Sequence, residues 1–278
     1  LTGIEIINLR HDREEARRSR YARYLTEKRG REGMTFHEAY EKMYELNYLG
    51  MMMAETGEAD ALISGVYSRY ADSVKAAKEV VGIRDGLNHI GAMHIMNTKK
   101  GVFFLADTLF NRHPTTETLI DITKLTYNTV KFFNHEPVMA MLSYSNFGSV
   151  QSGSPASVHE VVRTFHEQFP EICVDGEMQV TFALNQQLRD EKFPFSKLKG
   201  KKVNTLIFPN LSSANTAYKM LIEMGLADTI GPIQMGLNKP IHIVDVESSV
   251  RDIVNITAVA VLDRSEEHTS ELQSPNTI

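Results

Sequence analysis

Ser143, Ser145, Asn146, Gly148 and Ser149 put three hydroxyls, one amide and one glycine into residues 143–149. Small donors of this kind, together with the N–H groups of their own loop, suit an anionic group such as a phosphate. They follow Val138-Met139-Ala140-Met141-Leu142, five apolar residues after Pro137 that are too short for a helix and read as a buried parallel strand. A helix is expected directly afterwards, with Ser154 as its N-cap and Pro155 at its first position. Strand, polar loop and helix is the order in which α/β proteins bind ligands, outside the carboxyl ends of their strands. A simple polar turn has the same composition, so both readings stand at this point.

The elements that must position this loop alternate along the chain. A polar helix over 12–28 comes first, then Thr35 and Glu38 in a capping box that opens an apolar repeat at helical spacing over 36–46. A strand over 60–65, a helix over 71–81 stopped by Gly82, and strands over 90–96 and 102–106 follow, the last ending in Asp107. The helix over 116–133 leads to the strand at 138–142. Beyond it the pattern predicts helices over 154–169, 177–188, 213–224 and 250–262, and strands over 172–174, 203–208 and 241–244. Such alternation means an α/β fold with a mainly parallel sheet. Three strand exits are chemically rich, 143–149, 208–215 and 245–252, and they are expected to open toward one shared cleft.

Composition narrows the function classes. The 278 residues are 42% hydrophobic with a formal net charge of -5, which suits one large or two medium globular domains and not a nucleic-acid surface. The densest basic run, 13–31, is interleaved with Glu14, Glu15 and Glu27 and reads as a solvated helix face. No membrane span and no signal peptide are expected. The single cysteine, Cys173, excludes an internal disulfide, is expected to be a buried inert thiol, and suits a reducing, cytoplasmic setting. The histidines lack ligand spacing, so no metal site is expected. The chain opens at Leu1 on a strand-like run and is expected to be a fragment. Residues 264–278 resemble the translation of a sequencing-library adapter and are expected to be a non-native tail.

As an ordered set, the motifs resemble the phosphate acetyl/butyryltransferase family. Asp175-Gly176-Glu177-Met178-Gln179 matches its Asp-Gly-Glu-(Leu/Met)-Gln segment. Asn215, Tyr218 and Lys219 fall in place after Phe208-Pro209, and Gly231-Pro232-Ile233 leads to Lys239-Pro240. The resemblance implies two three-layer α/β/α domains with an interdomain cleft. It places the first domain at 1–113 plus 238–263 and the second, inserted, at 114–237. Two departures stand out. Asp245-Val246 occupies the place of the family's Ser-Arg, whose guanidinium can clamp an acyl phosphate, and Phe147 occupies that of a loop lysine. Asp252 matches the family's active-site aspartate, although Ser249 three residues earlier gives it an equally good reading as a capping box.

A retained scaffold with a lost phosphate site is similar to the C-terminal part of multidomain NADP-dependent malic enzymes. Phe104-Leu105-Ala106-Asp107-Thr108, Asn111-Arg112-His113-Pro114 and Ser248-Ser249-Val250-Arg251-Asp252-Ile253 carry that likeness. It implies a non-catalytic domain that binds acetyl-CoA as an effector and builds a homo-oligomer. Malic-enzyme domains would precede it in cis and use NADP with Mg or Mn. The ligand-binding residues would be Ser143, Ser145, Asn146, Gly148, Ser149, Asn215, Arg69 and Arg112, with Asp252 as a catalytic remnant. Solvent exposure is the ordinary alternative for both arginines. A working phosphate acyltransferase is the second reading. An isocitrate-dehydrogenase-like oxidoreductase is the third, disfavoured because no carboxylate cluster for a metal-bound hydroxy acid is evident.

Overall fold

Local sequence sets several helix starts directly. The Thr35, Thr115 and Asn210 side chains accept from the N–H groups of Glu38, Thr118 and Ser213 at 3.2, 3.2 and 3.0 Å, each satisfying a donor that helix geometry leaves open. The computed structural model describes residues 3–65 and 67–273, with 264–273 described by backbone alone. Helices α1 (Glu15–Arg29), α2 (Phe36–Lys42) and α3 (Leu46–Glu55) precede strand β1 (Leu62–Ser64) and helix α4 (Tyr70–Val80). Next come β2 (Gly91–Thr98), β3 (Gly101–Ala106), α5 (Thr116–Phe132), β4 (Met139–Leu142), α6 (Ser154–Gln168) and β5 (Val174–Met178). The short helices α7 (Val180–Leu184) and α8 (Gln186–Lys192) lead to β6 (Thr205–Ile207), α9 (Leu211–Glu223), β7 (Ala227–Met235), β8 (Ile241–Ile243) and α10 (Val250–Gln273).

The chain divides into two compact units, Leu1–Arg84 with Leu237–Ile278, and Asp85–Gly236. The boundary lies after Arg84 and not at 113/114, because β2 and β3 hydrogen-bond into the sheet of the second unit. That sheet has the order β5-β4-β6-β3-β2-β7. The pairs β5-β4, β4-β6 and β6-β3 are parallel, while β2 runs antiparallel to both β3 and β7. Alternation along β4 sends side chains to two faces. Ala140 and Leu142 join the cluster containing Ala183 of α7 and Ala214 and Tyr218 of α9. Met141 faces α5, where the Thr123 hydroxyl donates to its sulfur at 3.6 Å. The second unit is therefore a helix–sheet–helix sandwich.

In the first unit, β1 and β8 form a parallel pair with Leu62 opposite Ile241 and Ser64 opposite Ile243. Gly65 then passes so close to the end of β8 that a Cβ on it would lie 2.0 Å from the Val244 carbonyl oxygen, at φ +122°. His242 is buried on β8, and burial lowers its pKa to about 4. The folded value lies below the ordinary one of 6.5, so the unfolded chain takes up this proton first on acidification. The stability His242 contributes is complete above about pH 6.5 and is lost as pH falls toward 4. Urea unfolding at pH 7 and pH 4 is expected to differ by about 3 kcal/mol more in the wild type than in His242→Gln.

Four local expectations are corrected. The apolar repeat over 36–46 breaks at Met43, giving α2 and α3. Gly153, not Ser154, is the N-cap of α6, so Pro155 falls at the second helical position. Residues 174–178 form a strand and not the start of a helix, because they pair along β4. Cys173 is only partly buried, with the Lys201 ammonium donating to its sulfur at 3.1 Å. Helix α10 continues as backbone to Gln273, past the point where the side-chain period ends. The side chains of 264–273 and all of 274–278, on which the non-native-tail expectation falls, lie outside the described residues.

Candidate functional site

Three parallel strands of the second unit end level with one another. Met141 pairs with Ile207, which also pairs with Ala106, so the loops after β4, β6 and β3 leave the same edge of the sheet. The loop after β4, residues 143–149, is organised by Glu177 at the end of β5, whose side chain is fully buried. The Ser145 hydroxyl and the Gly148 N–H donate to Glu177 Oε1 at 2.8 and 2.7 Å, and the Phe147 N–H donates to its carbonyl at 2.7 Å. His159 of α6 stands with Nδ1 3.2 Å from Oε2. The remaining amides close on the loop itself. Ser145, Asn146, Ser149 and Val150 donate through N–H to Ser143 Oγ, Ser149 Oγ, Asn146 O and Ser145 Oγ at 3.1–3.3 Å.

Every N–H from residue 145 to residue 150 thus has an internal acceptor. The expectation that these amides face an anion is corrected, because a buried carboxylate and the loop hydroxyls have taken them. Ser145, Gly148 and Ser149 are consequently the frame of the loop. The Ser143 hydroxyl and the Asn146 amide nitrogen remain as donors at its surface, since Asn146 Oδ1 is used by the Gln179 N–H at 2.9 Å. Phe147 adopts φ +46° and packs its ring 4.7 Å from Phe193 and 5.0 Å from Phe195. Aromatic packing holds a left-handed conformation that costs a non-glycine residue roughly 1–2 kcal/mol.

Asp107, at the end of β3, shapes the neighbouring loop. Its carboxylate accepts from the N–H groups of Ala92, Leu109, Phe110 and Asn111 at 2.8–3.3 Å and from the Asn111 amide at 2.6 Å. Burial pushes its pKa above the ordinary carboxylate value, against the pull of these donors. Arg112 leaves this loop exposed, with no partner among the described residues. The Leu211 N–H donates to the Asn111 carbonyl at 3.2 Å, which ties the loop to the start of α9. Asn215, on that helix, reaches the Tyr218 hydroxyl at 3.4 Å. The structure therefore brings Ser143, Asn146, Arg112 and Asn215 to the same sheet edge. His159 was not singled out from the sequence, and Glu177 and Asp107 entered only as members of motifs, without a role. A carboxylate between Val174 and Met178 becomes conspicuous once that segment is seen as a strand.

The exit at 245–252 belongs to the first unit. A cavity of about 420 Å³ lies at the carboxyl ends of β1 and β8, lined by Tyr67, Ser68, Arg69, Tyr70, Asp245 and Val246 among others. Asn47, buried on α3, holds one wall. It accepts from the hydroxyls of Ser64 and Tyr67 at 2.6 and 3.0 Å and donates to those of Ser68 and Ser73 at 3.1 Å. Arg69 is engaged by Asp72 in a two-point pair at 2.9 and 3.2 Å, so its guanidinium is held by its own helix. Asp252 forms a reciprocal capping box. Its Oδ2 accepts from the Ser249 N–H and hydroxyl at 2.8 and 2.7 Å, and its own N–H donates to Ser249 Oγ at 3.2 Å. Among the described residues no group of three His, Cys, Asp or Glu side chains could hold a metal, and no helix is long and apolar enough to cross a membrane.

The phosphate acetyl/butaryl transferase family model matches residues 1–261. The NADP-dependent malic enzyme of Salmonella typhimurium is 38% identical over 235 residues, covering 84% of this chain and 31% of that protein. The phosphate acetyltransferase of Bacillus subtilis is 32% identical over 225 residues, 81% of this chain and 69% of that protein. A solved phosphotransacetylase from Streptococcus pyogenes superposes with a TM-score of 0.83 at 28% identity, covering 93% of this chain and 77% of that one. The chain thus spans about a third of the length of the malic enzyme it matches.

Proposed function

The chain belongs to the phosphate acetyl/butaryl transferase family, and from that premise we propose that it is a non-catalytic, acetyl-CoA-binding regulatory and oligomerisation domain of a malic enzyme. The longer polypeptide would oxidatively decarboxylate malate to pyruvate with NADP and Mg or Mn, using domains that precede this chain in cis. The observation that carries this reading is Phe147. At the place of the family's loop lysine stands a half-buried aromatic ring packed against Phe193 and Phe195. The loop around it has spent its amides internally, and Val246 stands 68% exposed at the place of the family's arginine. Each of these two segments therefore lacks the cation with which the family stabilises the charge of an acyl-phosphate transition state.

Effector binding needs less. CoA offers an adenine, a pantetheine arm and phosphates, so Ser143, Asn146, Arg112 and Asn215 can each contact a different part of it without any of them doing chemistry. The chain mixed with acetyl phosphate and CoA is expected to form no thioester above background by ultraviolet absorbance, under conditions where the Bacillus subtilis phosphate acetyltransferase turns over. Calorimetry with acetyl-CoA is expected to show saturable binding. Robust turnover would favour the second reading, a working acyltransferase. That reading is supported by the identity to phosphate acetyltransferases and by the retention of Asp252.

A further inference from the structure

Residues 195–199 alternate between outside and inside. Phe195, Lys197 and Lys199 are exposed, while Ser196 and Leu198 between them are buried. Two buried charged groups hold the inward residues. Asp175 accepts from the Ser196 hydroxyl at 2.7 Å and from the Lys197 N–H at 2.8 Å. Arg189, with no exposed surface, donates to the Leu198 carbonyl at 2.7 Å and to the Lys201 carbonyl at 2.6 Å. A turn anchored so deeply presents its outward side chains in a fixed arrangement, and the outermost of them is an aromatic ring left 69% exposed. That ring makes T-shaped contacts with Phe147 at 5.0 Å and Phe193 at 6.0 Å, and so adjoins the loop after β4.

The lysines of this region are not equivalent. Lys192 pairs with Glu191 at 3.3 Å, Lys201 donates to the Cys173 sulfur at 3.1 Å, and Lys202 donates to the Lys100 carbonyl at 2.9 Å. Lys197 and Lys199, which flank the buried Leu198, have side chains without a partner among the described residues. An exposed flat ring followed by two uncommitted ammonium groups matches a ligand that carries a flat ring and, a few ångströms away, multiple negative charges. Base stacking on an aromatic ring tolerates any base, and ammonium groups bind phosphates as point charges.

We propose that Phe195, Lys197 and Lys199 form a binding site for a purine nucleotide bearing two or more phosphates, with the base stacked on Phe195 and the phosphates on the two lysines. This deepens the effector reading and rests on it for one point, that the physiological ligand is CoA, whose nucleotide end has this chemistry. The probes are ADP, acetyl-CoA and pantetheine, titrated by calorimetry into the full chain and into Phe195→Ala, Phe195→Leu and Lys197→Ala/Lys199→Ala.

Wild type is expected to bind ADP, and each variant to bind ADP and acetyl-CoA about tenfold more weakly, while any pantetheine binding is unchanged. The lysine variant is also expected to lose much of the salt dependence of ADP binding. Phe195→Leu keeps the apolar contact with Phe147 but not the flat face, so it separates stacking from loop packing. Failure of ADP to bind wild type at millimolar concentration, or equal ADP affinity in wild type and the Phe195 variants, overturns the site. Binding of ADP without acetyl-CoA leaves the site standing and overturns the effector reading. Binding of acetyl-CoA that ignores all three variants does the reverse.

Discussion

Arg189→Ala is expected to lower the stability of the second unit by about 3–5 kcal/mol, the range seen when one partner of a buried charged network is removed. The guanidinium has no exposed surface, and its donors satisfy carbonyls that no other described side chain reaches, those of Leu198 and Lys201. Asp190 also contacts it at 3.2 Å but remains partly exposed, so the carbonyl bonds account for most of the effect. Truncation takes the side-chain donor from the Lys201 carbonyl, leaves the Leu198 carbonyl only the Lys201 N–H at 3.0 Å, and opens a cavity next to a core that includes Ala183 and Leu198. Lysine at this position carries the charge but lacks the planar fork, and Arg189→Lys is expected to recover less than half of the loss. Urea unfolding curves of the three proteins check the order. A loss below 1 kcal/mol in Arg189→Ala would show that the 195–201 turn is not held from beneath.

Glu177→Ala is expected to cost about 3–4 kcal/mol and, separately, to open the loop after β4. The Ser145 hydroxyl and Gly148 N–H each lose a buried acceptor, at about 1–3 kcal/mol apiece, and a fully buried side chain leaves a void. Glu177→Gln keeps an acceptor oxygen in the same place, so it is expected to retain most of the stability. Amide hydrogen exchange provides the second measurement. Residues 145–150 are expected to exchange fast in the alanine variant and slowly in wild type and Glu177→Gln. Equal protection in all three would mean that the loop is ordered by its own hydroxyls and not by the carboxylate.

The helices and strands were largely legible because their signals are local. Capping pairs such as Thr35 with Glu38 and Ser249 with Asp252 lie three residues apart, and the apolar run at 138–142 has only one comfortable fate. The misread strand at 174–178 has a tertiary cause. Residues 174–178 carry two carboxylates and a glycine and look unlike a buried strand, yet pairing with β4 on one side and capture of Ser196 and Ser145 by the carboxylates make them one.

By itself the sequence determined the class of fold, an α/β chain with mainly parallel strands, and its membership of a transferase family in which two expected cations are absent. The ligand loop was also locatable, since hydroxyls after a short apolar run are a local pattern. Tertiary structure alone decided which of those groups are still available. Ser145 and Glu177 lie thirty-two positions apart, and no local preference joins them; the bond exists because β4 and β5 run side by side and end together. A donor's availability depends on what the fold brings within about 3 Å of it. For the same reason Arg69 and Asp252, both candidates for a ligand, have their charges taken up by Asp72 and Ser249, whereas Arg112, Lys197 and Lys199 are left uncommitted.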